Sequence, residues 1–387
     1  MPWKTTDPVN ERMKFVSQLL DGEERMVDLC KAYGISRKTG YKYLNAFKES
    51  GPGGLYDASK APSSSPHRTP DSTLALLVAA RKGHPTWGPK KLCAWLAKKH
   101  EGVRLPSPST AGTILKRAGL VAPRKRRAPV ATPTPGPLTQ AAQPNDVWAV
   151  DFKGEFRLGN GSLCYPLTIT DLYSRYLLAC VALEGTRWAP AQLVFNEVFR
   201  EFGLPSVIRS DNGTPFSSVG LLGLSRLSAW WLRLGIRAER IEPGHPEQNG
   251  QHERMHRTLK AEATRPAGQN LLQQQERLDR FREEFNLERP HEALGMETPA
   301  SRYLRSSRVL PGVLPELVYP RHDLVRRVTP CGSIKLGGGR VFVSETLAGH
   351  HVGLRELDGG RWLVSFVDLD LGEIDLPRRH FAPAATA

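Results

Sequence analysis

The sequence predicts a multidomain α+β protein, with helical units first, an α/β unit in the middle and a small all-β unit last. Three observations carry that expectation. Apolar residues recur at three- and four-residue spacing through residues 9 to 118, interrupted by Gly and Pro. Apolar runs of strand length alternate with amphipathic stretches between residues 146 and 305. Six short β-rich runs, separated by Gly-rich turns, fill residues 324 to 376. At 387 residues the chain is longer than one ordinary domain.

Residues 1 to 55 read as three helices. Glu11 to Leu20 carries Met13, Val16, Leu19 and Leu20 at helical spacing and stops at Asp21-Gly22. Glu24 to Tyr33 follows, then the turn Gly34-Ile35-Ser36, then Arg37 to Glu49 with Ser36 as its N-cap. This is helix-turn-helix geometry, whose second helix offers its first residues, here Arg37, Lys38 and Thr39, to a major groove. A plain three-helix bundle with a charged solvent face is the alternative. Residues 56 to 70, rich in Ser and Pro, read as a linker. A second helical unit spans 71 to 120, with helices at Ser72 to Lys82, Gly88 to His100 and Ser107 to Ala118 around Trp87, Leu92, Trp95 and Leu96. Its Ser107-Pro108-Ser109-Thr110 opening has the form of another recognition-helix start, and a helical spacer remains the alternative. Residues 121 to 145 join the basic cluster Arg124-Lys125-Arg126-Arg127, suited to phosphate contact, to a stiff Pro-rich connector.

From 146 to 305 the elements alternate. Val147 to Phe156, Leu163 to Thr170 and Arg175 to Leu183 are expected as antiparallel strands, Pro190 to Phe202 as a helix and Val207 to Ser210 as a fourth strand. A helix crossing before the fourth strand is what a ribonuclease-H-like fold requires. An apolar segment, Ser217 to Leu234, reads as a further helix, Gln251 to Ala263 as another, and Leu271 to Asn286 as the last, followed by a capping loop at Arg289 to Leu294. Asp151 and Asp211 each stand where a strand gives way to a Gly-containing turn, and Glu253 stands in the first turn of the helix after a Gly/Pro/Asn loop. Three carboxylates at element ends can converge. Hard divalent cations such as Mg²⁺ take such oxygen ligands and complete their shell with water and phosphate, and two of them clamp a phosphodiester for in-line displacement. Arg257 and Lys260 follow Glu253 at i+4 and i+7, on the same helical face. Asp171 is a fourth acid, better explained by its turn position.

The run Pro243-Gly-His-Pro-Glu-Gln-Asn-Gly-Gln-His-Glu-Arg-Met-His-Arg-Thr-Leu-Lys260, with the Asp151 and Asp211 blocks, resembles the catalytic core of the insertion-sequence transposases that share the retroviral-integrase fold, the Asp-Asp-Glu superfamily. That resemblance implies that Asp151, Asp211 and Glu253 are the metal-binding catalytic carboxylates. It makes two Mg²⁺ ions, replaceable by Mn²⁺, the cofactor. Arg257 and Lys260 fall on the basic residues of the catalytic helix, and Asn249 is counted with them as facing DNA. The implied activity is a polynucleotidyl transfer that cuts at an element's terminal inverted repeats and joins the 3′-hydroxyl to target DNA. The implied assembly is a homodimer or larger on double-stranded DNA, in the bacterial cytoplasm and associated with the nucleoid. One feature departs from the family: relatives commonly place about thirty-five residues between the second Asp and the Glu. Here forty-one separate Asp211 from Glu253, and thirty-five separate it from Glu247. Glu253 is preferred because Glu247 lies inside the turn, whereas Glu253 starts a basic helix.

Residues 306 to 387 are expected to close a small β-barrel, with hairpin signals at Gly337-Gly338-Gly339 and Asp358-Gly359-Gly360; the barrel would contact DNA or another protein. A net charge of +15 suits a polyanionic partner. Five cysteines without a Cys-x-x-Cys pair argue against structural zinc and a disulfide scaffold, and no apolar run reaches the length of a membrane span. His252-Glu253-Arg254-Met255-His256 matches the H-E-x-x-H zinc-protease pattern, but the helix is polar and basic and no third ligand is evident. His252 and His256 are expected to line the DNA path or to pack beside it. Two rivals share the core: a metal-dependent nuclease without strand transfer, and a DNA-binding regulator descended from a transposase and no longer catalytic.

Overall fold

The computed structural model describes residues 7–57, 68–122, 138–218, 220–242 and 245–384. The chain forms two compact units, Met1–Arg68 and Thr69–Ala387. The first holds α1 (Pro8–Leu20), α2 (Met26–Ala32) and α3 (Arg37–Ser50). Local chemistry sets the helix starts: the Asp7 side chain accepts from Val9 N, and Ser36 Oγ accepts from Thr39 N. Phe15, Val16, Leu29, Cys30 and Leu55 fill the core. At Gly40 a Cβ would meet Cys30 Sγ at 2.8 Å and Met26 Sδ at 2.9 Å, so the close approach of α2 to α3 requires glycine.

The second unit begins with α4 (Asp71–Gly83), α5 (Pro89–Lys99) and α6 (Pro108–Arg117), packed around Leu77, Trp87, Leu92, Leu96 and Leu115. Ser107 caps α6 through Thr110 N. The strands and helices that follow are β1 (Val147–Phe152), β2 (Phe156–Arg157), β3 (Leu163–Asp171), β4 (Leu177–Leu183), α7 (Trp188–Phe202), β5 (Val207–Ser210), α8 (Arg226–Arg233), β6 (Arg237–Arg240), α9 (Gly250–Glu262) and α10 (Leu271–Glu283). The three helices α4 to α6 dock on this region: His84 Nδ1 lies 2.8 Å from Glu284 Oε1, and the Arg289 guanidinium sits over the Trp87 ring at 5.8 Å.

The strands form one mixed sheet. β3 pairs antiparallel with β4 on one side and β1 on the other, β1 continues parallel to β5, and β5 parallel to β6, while short β2 pairs the start of β3. This is the ribonuclease-H-like order. The single strand expected from Val147 to Phe156 is split, because Lys153-Gly154-Glu155 has no apolar face to bury and leaves the ladder. β6, a charged edge strand, had no apolar pattern to announce it; Glu239 is held there by Arg209 of β5 at 2.8 Å.

Helices cover both faces. Trp148 and Val150 of β1 share a core with Phe195 and Phe199 of α7 and Trp230 and Trp231 of α8. On the other face Cys164, Cys180 and Leu177 meet Met255 and Leu259 of α9 and Leu278 and Phe281 of α10. Because side chains alternate along a strand, Ala149 and Asp151 turn toward the α9 side. The carboxy-terminal strands are β7 (Leu324–Arg327), β8 (Ser333–Leu336), β9 (Gly339–Phe342), β10 (His351–Glu356), β11 (Arg361–Phe366), β12 (Leu369–Asp375) and β13 (His380–Pro383). They pair as a five-stranded antiparallel sheet, β7-β10-β11-β12-β13, and a separate β8-β9 hairpin. The expected barrel is thus not closed by hydrogen bonds among the described residues. The hairpin instead packs against both sheet edges, adding Ile334 and Val341 to a core with Val352, Leu354, Val364 and Phe366. No helix among the described residues is long and apolar enough to cross a membrane.

Candidate active site

The parallel pairing of β1 with β5 aligns Val147 with Val207, Trp148 with Ile208 and Ala149 with Arg209. Carried two residues further, the same register sets Asp151 level with Asp211, so both carboxylates leave the same end of adjacent strands. Asp211 is held by its turn: Gly213 N donates to Oδ1 at 3.0 Å, and a Cβ on Gly213 would lie 3.0 Å from Oδ2. α9 lies against β1 and places Glu253, exposed, in its first turn. Glu247 lies in the short 3-10 turn Pro246–Asn249 that precedes α9. Burial raises the Asp151 carboxyl to about 7, and the negative charges of Asp211 and Glu253 push it in the same direction. Three like charges therefore act on one another at this sheet end.

The helix is seated by a polar hub. His252, Met255, His256 and Leu259 form the buried face of α9. Thr168 Oγ1 lies 2.7 Å from His252 Nε2, 2.7 Å from His256 Nε2, and donates to the Asp151 carbonyl at 3.0 Å. Thr170 Oγ1 bonds the other nitrogen of His252, and His256 Nδ1 lies 3.6 Å from Asp151 Oδ2. Burial lowers His252 to about 3; burial, with the neighbouring His252 and Lys153, lowers His256 to about 2, so both rings are neutral. Their ligand atoms and one of Asp151 fall within 4.8 Å of one another, yet both Nε2 atoms already face one threonine hydroxyl. The H-E-x-x-H pattern therefore serves as a helix seat, with its Glu exposed. Both histidines are buried.

The predicted basic residues separate into groups. Arg257 and Lys260 are exposed on α9. Arg37 and Lys38 are exposed at the start of α3, while half-buried Thr39 bonds Ser36. Asn249 is 5% exposed and its Oδ1 has no hydrogen-bond partner among the described residues, so it faces the interior and not solvent. Arg124, Lys125, Arg126 and Arg127 lie outside the described residues. One residue was missed: Lys153, lowered by burial and by Lys260 and raised by Asp151, stands beside the carboxylates. Its place two residues after Asp151 was the available signal, since i and i+2 share a strand face. Asp171 is a structural acid: it is buried and accepts from Asn145 N, Ser174 N and Ser174 Oγ.

Four family models match segments of the chain. Two models described as integrase core domain match residues 141–246 and 234–299. A helix-turn-helix domain model matches 11–63, and a homeodomain-like domain model matches 39–115. The Gag-Pol polyprotein of baboon endogenous virus is 34% identical over 130 residues, covering 34% of this chain and 7% of that protein. An insertion element IS476 protein of Xanthomonas euvesicatoria is 26% identical over 58% of this chain and 63% of its own length. An insertion element IS407 protein of Burkholderia multivorans is 25% identical over 53% of this chain and 73% of its own. The chain thus spans a small part of the polyprotein and less than two thirds of the IS476 protein. Asp151 and Asp211 fall within the first integrase core match and Glu253 within the second, and the chain carries an integrase core domain preceded by helix-turn-helix domains.

Proposed function

We propose that the chain is an insertion-sequence DNA transposase, which cuts at the ends of its element and joins the freed 3′-hydroxyl to a target phosphodiester. The observation that supports this reading is that carboxylates from three separate segments, two at one sheet end and one on the helix laid against it, stand near enough for Asp211 and Glu253 to act on the charge of Asp151. An all-oxygen donor set fits a hard divalent cation, and Asp151, raised first by burial and then by the charges of Asp211 and Glu253, stands among negative charge that such an ion would offset. Asp151, Asp211 and Glu253 would hold two Mg²⁺ ions, or Mn²⁺ in their place, which supply activation of the attacking oxygen and stabilisation of the leaving oxygen.

The chain's own residues bind and orient. Arg257 and Lys260, one and two turns beyond Glu253, hold phosphate oxygens of the strand that reaches the carboxylates, and Lys153 adds a third cation there. The Thr168 hub keeps α9 in register with β1, so that Glu253 stays opposite Asp151. Arg37, Lys38 and Thr39 open a recognition helix, and the cluster Arg124 to Arg127 grips phosphates. On this reading the domains divide at 1–55, 71–120, 146–305 and 306–387, the last a small barrel with its hairpin. Two ends must be joined together, so the working form is a dimer or larger, in the cytoplasm with the nucleoid.

The test uses labelled duplexes from both flanks of the gene with Mg²⁺, and compares wild type with Glu253→Gln and Glu247→Gln. Cut ends and joined products from wild type and Glu247→Gln, with binding but no reaction from Glu253→Gln, are expected. Cutting without joining would favour a nuclease, and binding without cutting under either metal a regulator.

A further inference from the structure

A cavity of about 490 Å³ lies on a flank of α9, between α9, α5, the β3–β4 turn and the segment after α10. Gln251, Arg254, Met255 and Thr258 line it at i, i+3, i+4 and i+7, whereas Glu253 and Lys260 do not. Its walls bring together Lys91, Arg175, Arg254, Arg257 and Arg289 with His291. Two acids also line it and offset this charge only in part, Asp171 acting on Arg175 and Glu292 on Lys91 without a contact ion pair. Asp171 is spent on Asn145 and Ser174, and exposed Glu292 faces Lys90 at 3.8 Å. Arg289 is paired with Glu262 at 2.7 Å. Among the described residues, Lys91, Arg175, Arg254 and Arg257 have no carboxylate within 4 Å.

Two buried atoms at this cavity, Arg175 Nη1 and His291 Nε2, have no hydrogen-bond partner among the described residues. Native proteins rarely leave such groups unmatched. The cations are close enough to disfavour one another: burial, then Arg289, lowers Lys91 to about 8, and burial, then Lys91, Arg289 and Arg175, lowers His291 to about 3. Guanidinium groups converging on a concave site are the usual way to hold a tetrahedral oxyanion.

We propose that this cavity is a phosphate-binding site beside the carboxylate site, with Arg257 of α9 standing between the two. The phosphate belongs either to a DNA strand that passes over α9 or to a free phosphate compound. In its first form the inference rests on the DNA-binding reading above; in its second it does not.

The test uses the full chain and the variants Lys91→Ala, Arg175→Gln and Arg254→Ala. Arg254 is exposed, so its variant retains the fold even if the Arg175 turn does not tolerate change. One arm measures duplex affinity against salt; the other measures melting temperature with inorganic pyrophosphate against chloride at equal ionic strength. If a DNA phosphate occupies the cavity, each variant lowers the salt slope by about 1. If a free phosphate compound does, the slopes match wild type and pyrophosphate raises the melting temperature of wild type but not of the variants. Variants equal to wild type in both arms would overturn the site. Failure of wild type to bind any duplex would overturn the DNA reading instead, leaving the pyrophosphate arm to decide the cavity.

Discussion

Replacing Thr168 by Val keeps the volume of the side chain and removes the hydroxyl that meets His252 Nε2, His256 Nε2 and the Asp151 carbonyl. Both rings are buried and neutral, so two ring nitrogens lose their partner with no water to replace it. At about 1–3 kcal/mol for each buried polar group left unsatisfied, the loss is about 2–6 kcal/mol. Thr168→Ser keeps the hydroxyl and loses one methyl, at about 1 kcal/mol. The difference between the variants is the hydroxyl's contribution less that of the methyl, about 1–5 kcal/mol. At about 2–4 °C per kcal/mol for a large domain, Thr168→Val should melt at least about 2 °C below Thr168→Ser by circular dichroism. DNA cutting should survive in Thr168→Ser and fall sharply in Thr168→Val, whose α9 has lost its seat. Equal melting temperatures, within about 1 °C, would refute the hub.

The buried histidines also predict acid sensitivity. Bases whose folded pKa is depressed stabilise the fold fully above their unfolded value near 6.5, and that stability is lost as pH falls. His252, His256, His291 and His350 act in this sense, while Asp151 and Asp171, raised by burial, act in the opposite one. Four lowered histidines outnumber the two raised carboxyls, so the net is a loss of stability below pH 6.5, and a melting temperature that rises from pH 6.5 to 5 would contradict neutral rings. Asp151→Asn removes a repelled charge and should melt above wild type in EDTA at pH 8; millimolar Mg²⁺ should raise wild type but not this variant, and an identical response of the two would count against a carboxylate metal site. Glu239→Ala strands Arg209, 7% exposed, and should cost about 3 kcal/mol, while Arg209→Met with Glu239→Leu recovers most of it in a double-mutant cycle.

Much of this protein is legible in its sequence because the signals are local. Ser36 and Ser107 mark helix starts, since a cap acts on amides two or three residues away. Asp151 and Asp211 are visible at the ends of apolar runs, and Glu253 in the first turn of a helix, because strand ends and helix starts have composition signatures. Tertiary structure alone decided what depends on distant segments meeting. β6, charged at three of its four positions, becomes a strand only because β5 offers it an edge. The H-E-x-x-H pattern says that two histidines share a helical face, but not that Thr168 and Thr170 of β3 wait beneath it. Asn249 looks like a loop residue open to DNA and is buried. The cation-rich cavity joins Lys91, Arg175 and Arg289, from three segments with no common pattern. Caps and periodicity act over a few residues, which a sequence displays in order; burial and charge repulsion act between whichever surfaces the fold presses together, and only the fold says which those are.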